Sequence, residues 1–265
     1  MTAALAIIRA RSAECDALTR VDEIAEALLA ARRQRRPFVA QPATAPATPE
    51  EAYAIQDAVA QGLYPGRRPD AWKVGSPRAD VEPTATPLFT VFDSPAIWSD
   101  APVVELTIEA EVGFVLARDI APAEAATVPL DEAFDFACTT IEVCDARLAN
   151  YRDAPALWKL ADSQVNAGLV VGSGRPFDEV DDYAAVRCEV LVGERTAFDG
   201  TGTHALGDPR LLLRWWLQHA GSRARLCAGD VVTTGTWCGM IEAPPGAVIK
   251  VLMHGLGEAS VEFVA

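Results

Sequence analysis

The feature that most restricts the fold of this chain is the segment 103–116, VVELTIEAEVGFVL, in which apolar and polar residues alternate over 104–112. Successive side chains of an extended strand point to opposite faces, so the alternation predicts one long β-strand. Its apolar face comprises Val104, Leu106, Ile108, Ala110, Val112, Phe114 and Leu116, and its other face comprises Glu105, Thr107, Glu109 and Glu111. The first face is predicted to cover a core. The three carboxylates of the second face indicate either a half-solvated surface or a functional site.

Short β-rich runs broken by Pro, Gly and Asp continue from Trp72 onward. Besides 103–116, the runs predicted to be strands are AWKVG, CTTIEVCDARL, NAGLVVG, AVRCEVLVG, DVVTTGTW, VIKVLMHG and EASVEFVA. Two helices are predicted to interrupt them: LDEAFDFAC, and GDPRLLLRWWLQHAG with Asp208 as the N-cap, Pro209 in the first turn and Gly221 as the stop. This pattern lacks the regular strand–helix alternation of a doubly wound sheet, so it predicts a mostly β domain with inserted helices.

The N-terminal part of the sequence is predicted to be helical instead. Apolar residues recur at helical spacing over residues 19–36. After a linker rich in Pro, Ala and Thr, Thr48 is predicted to cap a second helix that runs to about Leu63. We therefore predict two regions, a helical N-terminal segment over residues 1–68 and a β domain over residues 69–265.

Composition argues against several classes of function. The formal net charge of −14 disfavours a protein that binds nucleic acid or anionic membranes, because both partners require a basic surface. The basic residues of 32–36 close the first predicted helix, where they suit the negative end of its dipole. No run approaches about 18 uninterrupted apolar residues, and the N-terminal ALAII is far shorter than the core of a signal peptide. A soluble, cytoplasmic protein is expected.

Several familiar catalytic signatures are absent or lack the right context. The sequence has no G-x-S-x-G elbow, so nucleophilic serine chemistry is not indicated. The segment GTGTHA fits a loose dinucleotide fingerprint, but no βαβ unit surrounds it. His204 within it is a candidate catalytic residue, although a lone histidine in a Gly/Thr loop is more commonly structural. The six cysteines include no C-x-x-C pair, so buried, reduced thiols are expected.

The remaining candidates for chemistry are carboxylates. Glu142 lies on another predicted strand, with Asp145 and Arg147 close behind it. Because Glu109 and Glu111 share one strand face, a third glutamate from a neighbouring strand could complete a set of oxygen ligands. Such a set, without thiol or imidazole partners, suits hard cations such as Mg²⁺ or Mn²⁺. Without a cation, three converging carboxylates would repel one another and raise each other's pKa.

Six sequence blocks, in order over about residues 48–264, resemble the fumarylacetoacetate hydrolase superfamily. The blocks are AWKVG, IEAEVGFVLARDI, IEVCDARL followed by KLADSQVNAG, GDPRLLLRWWL, LCAGDVVTTGT and GLGEASVEF. Within the superfamily they are most similar to the branch of 2-keto-4-pentenoate hydratases and 4-oxalocrotonate decarboxylases.

The resemblance implies an α+β fold, with a mixed β-roll core of the fumarylacetoacetase C-terminal type and inserted helices, that assembles as a homo-oligomer. It implies that Glu109, Glu111 and Glu142 hold a divalent metal, Mg²⁺ or Mn²⁺. Lys73 and Asp162 match the lysine and aspartate blocks of the family, which implies catalytic roles for both. Lys73 is expected to stabilise the enolate anion or to relay protons, with its pKa lowered by partial burial. The implied substrates are small 2-oxo or 2-hydroxydienoic acids.

The reaction type is less constrained than the metal site. Residues 76–89 are shorter and richer in proline than the segment that caps the substrate in these relatives, and Ser163 stands where they have asparagine. The first hypothesis is water addition of the hydratase type. The alternatives are decarboxylation of the 4-oxalocrotonate type, C–C bond hydrolysis of the acylpyruvate type, and non-catalytic binding of a small acid beside a structural ion. Lys73 favours an enzyme, and Glu105 is assigned no role.

Overall fold

The computed structural model describes residues 20–264, which form two compact units. The predicted helix start at Thr19 and the ALAII segment lie outside the described residues. The helical unit contains residues 20–67 together with Pro102–Val104 and Asp145–Val165, and the β unit contains the rest. The helical unit therefore includes two later segments besides the N-terminal region predicted from the sequence.

The helices and strands are named in chain order. The helices are α1 (20–34), α2 (Pro49–Leu63), α3 (Leu130–Ala133), α4 (Ala156–Ala161) and α5 (Leu213–Arg223). The strands are β1 (Ala71–Gly75), β2 (Thr84–Leu88), β3 (Val91–Asp93), β4 (Ala96–Trp98), β5 (Thr107–Leu116), β6 (Phe134–Cys144), β7 (Asn166–Pro176), β8 (Arg187–Val192), β9 (Arg195–Thr201), β10 (Val231–Thr236), β11 (Ile241–Glu242), β12 (Val248–Met253) and β13 (Gly257–Phe263).

Helix α2 begins as the sequence predicts. Thr48 Oγ1 accepts a hydrogen bond from Glu51 N at 3.2 Å, and Glu51 Oε2 accepts one from Ala47 N at 2.8 Å. These bonds satisfy backbone donors that a helix start otherwise leaves open. Within the same unit, Gln56 Nε2 donates to Leu160 O at 2.6 Å and joins α2 to α4.

The β unit contains two mixed sheets. The larger has the order β2-β1-β10-β5-β6-β7-β3, with β11 also paired to β5, and the smaller has the order β4-β13-β12-β8-β9. Parallel pairs occur at β1–β10, β3–β7 and β4–β13, and the other pairs are antiparallel. The mixed sheets with few inserted helices confirm the predicted α+β class.

The predicted alternation of β5 is confirmed, but its second face is buried rather than solvated. Glu109 is 8% exposed and Glu111 is fully buried. The strand also starts four residues later than predicted, because Asp145 accepts hydrogen bonds from Val103 N at 2.6 Å and Val104 N at 3.0 Å and holds them outside the strand. The apolar face of β5 joins one core with side chains of the smaller sheet and of α5, including Trp216.

Two helix predictions need correction. In LDEAFDFAC only Leu130–Ala133 is helical, and Phe134 already begins β6. Phe136 and Ala137 pair in register with β5, so sheet pairing overrides the local helical spacing. In the second segment the Asp208 cap and the proline turn are confirmed, but Gly221 lies inside α5, which continues to Arg223. Within residues 20–264, no helix combines the length and apolar character needed to cross a bilayer.

Candidate metal centre

The larger sheet brings three carboxylates and one ammonium together on a buried face. Glu109 on β5 and Glu142 on β6 are direct partners in the antiparallel ladder, and like charges in such positions repel. Lys73 Nζ, from β1, lies 3.2 Å from Glu109 Oε2 and 2.5 Å from Glu142 Oε2. The structure thus brings together four of the five residues predicted for the site, with Glu111 on the same face of β5.

The cluster is short of positive charge. Lys73 is 8% exposed and Glu142 is fully buried, so water screens these charges poorly. Within the described residues, Lys73 is the cationic side chain that forms ion pairs with the cluster. One ammonium beside three ionised carboxylates leaves two negative charges uncompensated, which is the charge that a divalent cation supplies.

Glu111 is held at one oxygen and left open at the other. Thr233 Oγ1 donates to Glu111 Oε2 at 2.5 Å, and Gly235 N donates to the same oxygen at 2.9 Å. Gly235 lies in an irregular stretch of the β10–β5 ladder and has a left-handed φ of 102°, which favours glycine. The other oxygen, Oε1, is buried and accepts no hydrogen bond from residues 20–264. Buried polar atoms are rarely left without a partner, so a cation at Oε1 fits this arrangement.

The pKa values of the cluster reflect burial and mutual charge. Burial raises the pKa of Glu142 well above its usual range, and Glu111 and Glu109 add to the rise while Lys73 opposes it. Burial also raises the pKa of Glu111. Burial alone would lower the pKa of Lys73, but the three carboxylates together raise it well above its usual value. The expected lowering of the Lys73 pKa is therefore wrong, because its carboxylate neighbours outweigh desolvation, and the group remains an ammonium ion.

Two further residues contact or border the cluster, and neither was singled out from the sequence. Asn166, the first residue of β7, donates from Nδ2 to Glu142 Oε1 at 2.9 Å. Cys144 follows Glu142 by two residues, and its Sγ and carboxylate oxygens of Glu109 and Glu142 all lie within 4.8 Å of one another. Burial raises the pKa of the Cys144 thiol well above its usual range, so it is present as the neutral thiol. The i, i+2 spacing after Glu142 was the sequence signal for Cys144.

Asp162 belongs to the helical unit, where it forms a buried ion pair with Arg147. Asp162 Oδ1 accepts from Arg147 Nε, and Oδ2 accepts from Arg147 N at 2.9 Å. Burial raises the pKa of Asp162, and Arg147 opposes that rise. Both carboxylate oxygens of Asp162 therefore accept hydrogen bonds from Arg147. The catalytic role predicted for Asp162 remains a prediction.

His204 has a structural environment, as its sequence context indicates. Its Nε2 donates to Thr234 O at 2.9 Å, and its Nδ1 accepts from Leu206 N at 3.3 Å. Burial lowers the pKa of His204, so the imidazole is neutral with its proton on Nε2. Both ring nitrogens are occupied by backbone groups.

The fold and the cluster define a mixed β-roll protein with a buried carboxylate site on its larger sheet. Residues 72–264 match the family described as fumarylacetoacetate (FAA) hydrolase C-terminal, and the chain belongs to this family. The match confirms both the resemblance and the β-roll fold predicted from the sequence.

The chain is also similar to individual proteins of known name and to solved structures. The chain is 31% identical over 163 residues to 2-keto-4-pentenoate hydratase 1 of Dechloromonas aromatica (strain RCB), a match that covers 61% of each chain. It is 28% identical over 256 residues to 2-keto-4-pentenoate hydratase of Paraburkholderia xenovorans (strain LB400), covering 91% of this chain and 94% of that protein. Among solved structures it is similar to 4-oxalocrotonate decarboxylase from Pseudomonas putida G7 complexed with magnesium and adipate, with a TM-score of 0.75 and 20% identity over 95% of this chain and 98% of that one.

Proposed function

We propose that this protein is a divalent-metal-dependent lyase that adds water to a small 2-hydroxydienoic acid, as a 2-keto-4-pentenoate hydratase does. The observation that carries the proposal is the buried cluster of Glu109, Glu111 and Glu142, which would carry two uncompensated negative charges with all three carboxylates ionised, and in which Glu111 Oε1 has no hydrogen-bond donor within residues 20–264. The similarity to two 2-keto-4-pentenoate hydratases supports the choice of reaction.

Glu109, Glu111 and Glu142 are proposed to hold Mg²⁺ or Mn²⁺. Their ligand atoms are carboxylate oxygens, which hard divalent cations prefer. Magnesium in the decarboxylase complex is in line with this choice. A bound cation of this kind supplies Lewis acidity at the C2 oxygen of a 2-oxo acid.

Lys73 is proposed to act as a cationic hydrogen-bond donor. It lies between Glu109 and Glu142, and its raised pKa keeps it protonated. A protonated lysine can stabilise negative charge that develops on a substrate oxygen, and it is a poor general base. Asp162 is proposed as a second catalytic residue on the family resemblance.

Two other reactions use the same kind of substrate. Decarboxylation of a 4-oxalocrotonate-type acid and C–C hydrolysis of an acylpyruvate both withdraw electrons toward a 2-oxo group, so the cluster suits them as well. Hydration is preferred because the two relatives compared by sequence are hydratases. Assembly as a homo-oligomer and a cytoplasmic location stay predictions from the sequence.

A side-by-side assay tests the proposal. The full-length protein is incubated with 2-hydroxypenta-2,4-dienoate, 4-oxalocrotonate or an acylpyruvate, with Mg²⁺, Mn²⁺ or excess chelator. Metal-dependent loss of the dienoate absorbance without release of CO₂ is expected. CO₂ release would select decarboxylation instead, and no turnover of any substrate would favour a binding protein.

Glu111→Gln tests whether the activity depends on a metal held by this cluster. The variant keeps the size of the side chain but removes its charge, so loss of activity in a folded protein is expected. Glu194→Gln, at an exposed turn, is the matched control and should retain full activity. Full activity of Glu111→Gln, or of the wild type in chelator, would contradict the metal mechanism.

A further inference from the structure

Hydrogen-bonded side chains around Glu111 connect three neighbouring strands, β6, β5 and β10. We propose that Thr140 and Thr233 form a hydroxyl bridge over Gly113 that holds one oxygen of Glu111 and leaves the other available to a cation. The inference rests on the proposed function, in which Glu111 is a metal ligand. Both threonines act through Glu111, so they are positioning residues.

The bridge passes over the middle strand of three. Thr140 lies on β6 and Thr233 on β10, and these strands flank β5 on opposite sides. Neighbouring strands are about 4.8 Å apart, so the backbones of β6 and β10 are separated by about 10 Å. The two hydroxyl oxygens are nevertheless 2.7 Å apart, and both side chains are fully buried.

Gly113 on β5 makes this contact possible. It pairs with Thr233 in the ladder between β5 and β10. A Cβ atom at Gly113 would lie 2.7 Å from Thr140 Cγ2 and 3.4 Å from Val231 Cγ1, and the first distance is well inside normal carbon contact. Because the φ of Gly113 is not left-handed, the glycine is needed here for space rather than for backbone freedom.

The donor and acceptor roles of the two hydroxyl groups in the bridge are fixed. An ionised Glu111 can only accept hydrogen bonds, so the hydroxyl proton of Thr233 is committed to Oε2. Thr233 can then only accept from Thr140, and Thr140 must donate. With Gly235 N as a second donor, Oε2 is held firmly, and Oε1 is the oxygen presented to a ligand.

Mn²⁺ binding to the full-length protein, measured by electron paramagnetic resonance and calorimetry, tests the bridge. Thr233→Val is expected to weaken Mn²⁺ affinity about 10- to 100-fold, the range for loss of a group that orients a metal ligand. Thr233→Ser keeps the hydroxyl and should restore affinity to within about threefold of wild type. Thr140→Val and Gly113→Ala should each weaken binding by about threefold or more, since they leave Thr233 in place but remove or displace its donor.

Thr139→Val is the matched control. Thr139 is fully buried on β6 next to Thr140, but it points to the opposite face and its hydroxyl has no hydrogen-bond partner within residues 20–264. Its loss should leave Mn²⁺ affinity unchanged. A general weakening of the β6 packing would instead affect Thr139→Val as much as Thr140→Val.

The outcomes separate this inference from the proposed function. If the wild type binds no Mn²⁺, or Glu111→Gln binds it equally well, the proposed function fails. If Glu111→Gln loses binding while folded Thr233→Val keeps wild-type affinity, only the bridge is overturned. Should Thr233→Val not fold, wild-type affinity in both Thr140→Val and Gly113→Ala overturns the bridge, and a loss in both supports it.

Discussion

Glu109 and Glu142 face each other directly across the β5–β6 ladder, with the Lys73 ammonium between them. In most antiparallel sheets such a pair of acids would be destabilising. Here the repulsion is offset in part by one cation, and the third carboxylate, Glu111, lies on the same face. The energetic balance of this face therefore depends on pH, on Lys73 and on divalent metal.

The first prediction concerns pH in the metal-free protein. Because burial raises the pKa of Glu111 and Glu142 in the folded state, the folded protein holds protons that the unfolded chain releases above the ordinary value of 4.5. Stability should therefore fall as pH rises from about 4.5 through the folded-state pKa values. Lys73 does not contribute in this window, since it titrates above its usual 10.5.

Urea unfolding at about pH 5 and about pH 8, with and without Mn²⁺, checks this prediction. Mn²⁺ competes with the same protons, so its affinity should increase with pH. At 100 times its dissociation constant, the ion should raise the free energy of unfolding by about 2.7 kcal/mol. A pH-independent Mn²⁺ affinity, or an unchanged pH dependence of that affinity in Glu142→Gln, would contradict this account.

Lys73→Met should destabilise the metal-free protein by about 3 kcal/mol, because it removes one partner of a buried ion pair and leaves Glu109 and Glu142 facing each other. Mn²⁺ should recover part of this loss by supplying positive charge. Thermal and urea unfolding of the variant, beside Lys250→Met at an exposed site, provide the measurement. Equal stability of the two variants would show that Lys73 contributes little to the charge balance.

Asn166→Ala should weaken Mn²⁺ affinity about tenfold, because Glu142 Oε1 loses the donor that holds it. The fold should survive, since the side chain is short and lies at the start of β7. Calorimetric titration of the variant beside Gln218→Ala, an exposed amide on α5, is the test. Tenfold losses in both variants would point to a nonspecific cause.

Asp162→Asn and Arg147→Met should each destabilise the protein by about 3 kcal/mol, since each breaks a buried ion pair. The double variant should lose less than the sum, which a urea double-mutant cycle can measure. The same variants also test catalysis. A large loss of turnover in folded Asp162→Asn, with normal turnover in folded Arg147→Met, would assign Asp162 a catalytic role beyond its ion pair.

The sequence predicted the polar face of β5 and the types of residue in the cluster, because alternation depends only on local geometry. It did not predict that this face is buried, nor that Glu109 pairs with Glu142. Register depends on contacts between distant strands, so neither the Lys73 ion pairs nor the raised pKa of Lys73 could be derived from spacing. The same limit explains the helix predicted across Phe134–Cys138, where pairing with β5 decides the conformation.

The pairing of Glu109 on β5 with Glu142 on β6 also has a consequence for the order of events during folding. Pairing of β5 with β6 brings Glu109 and Glu142 together, whereas Lys73 arrives only when β1 docks beside β10, a contact between segments far apart in the chain. Non-local contacts of this kind form slowly. Repulsion between Glu109 and Glu142 therefore opposes pairing of β5 with β6 early in folding, and Lys73 reduces it only late. A divalent ion in the refolding buffer should speed the pairing of these two strands.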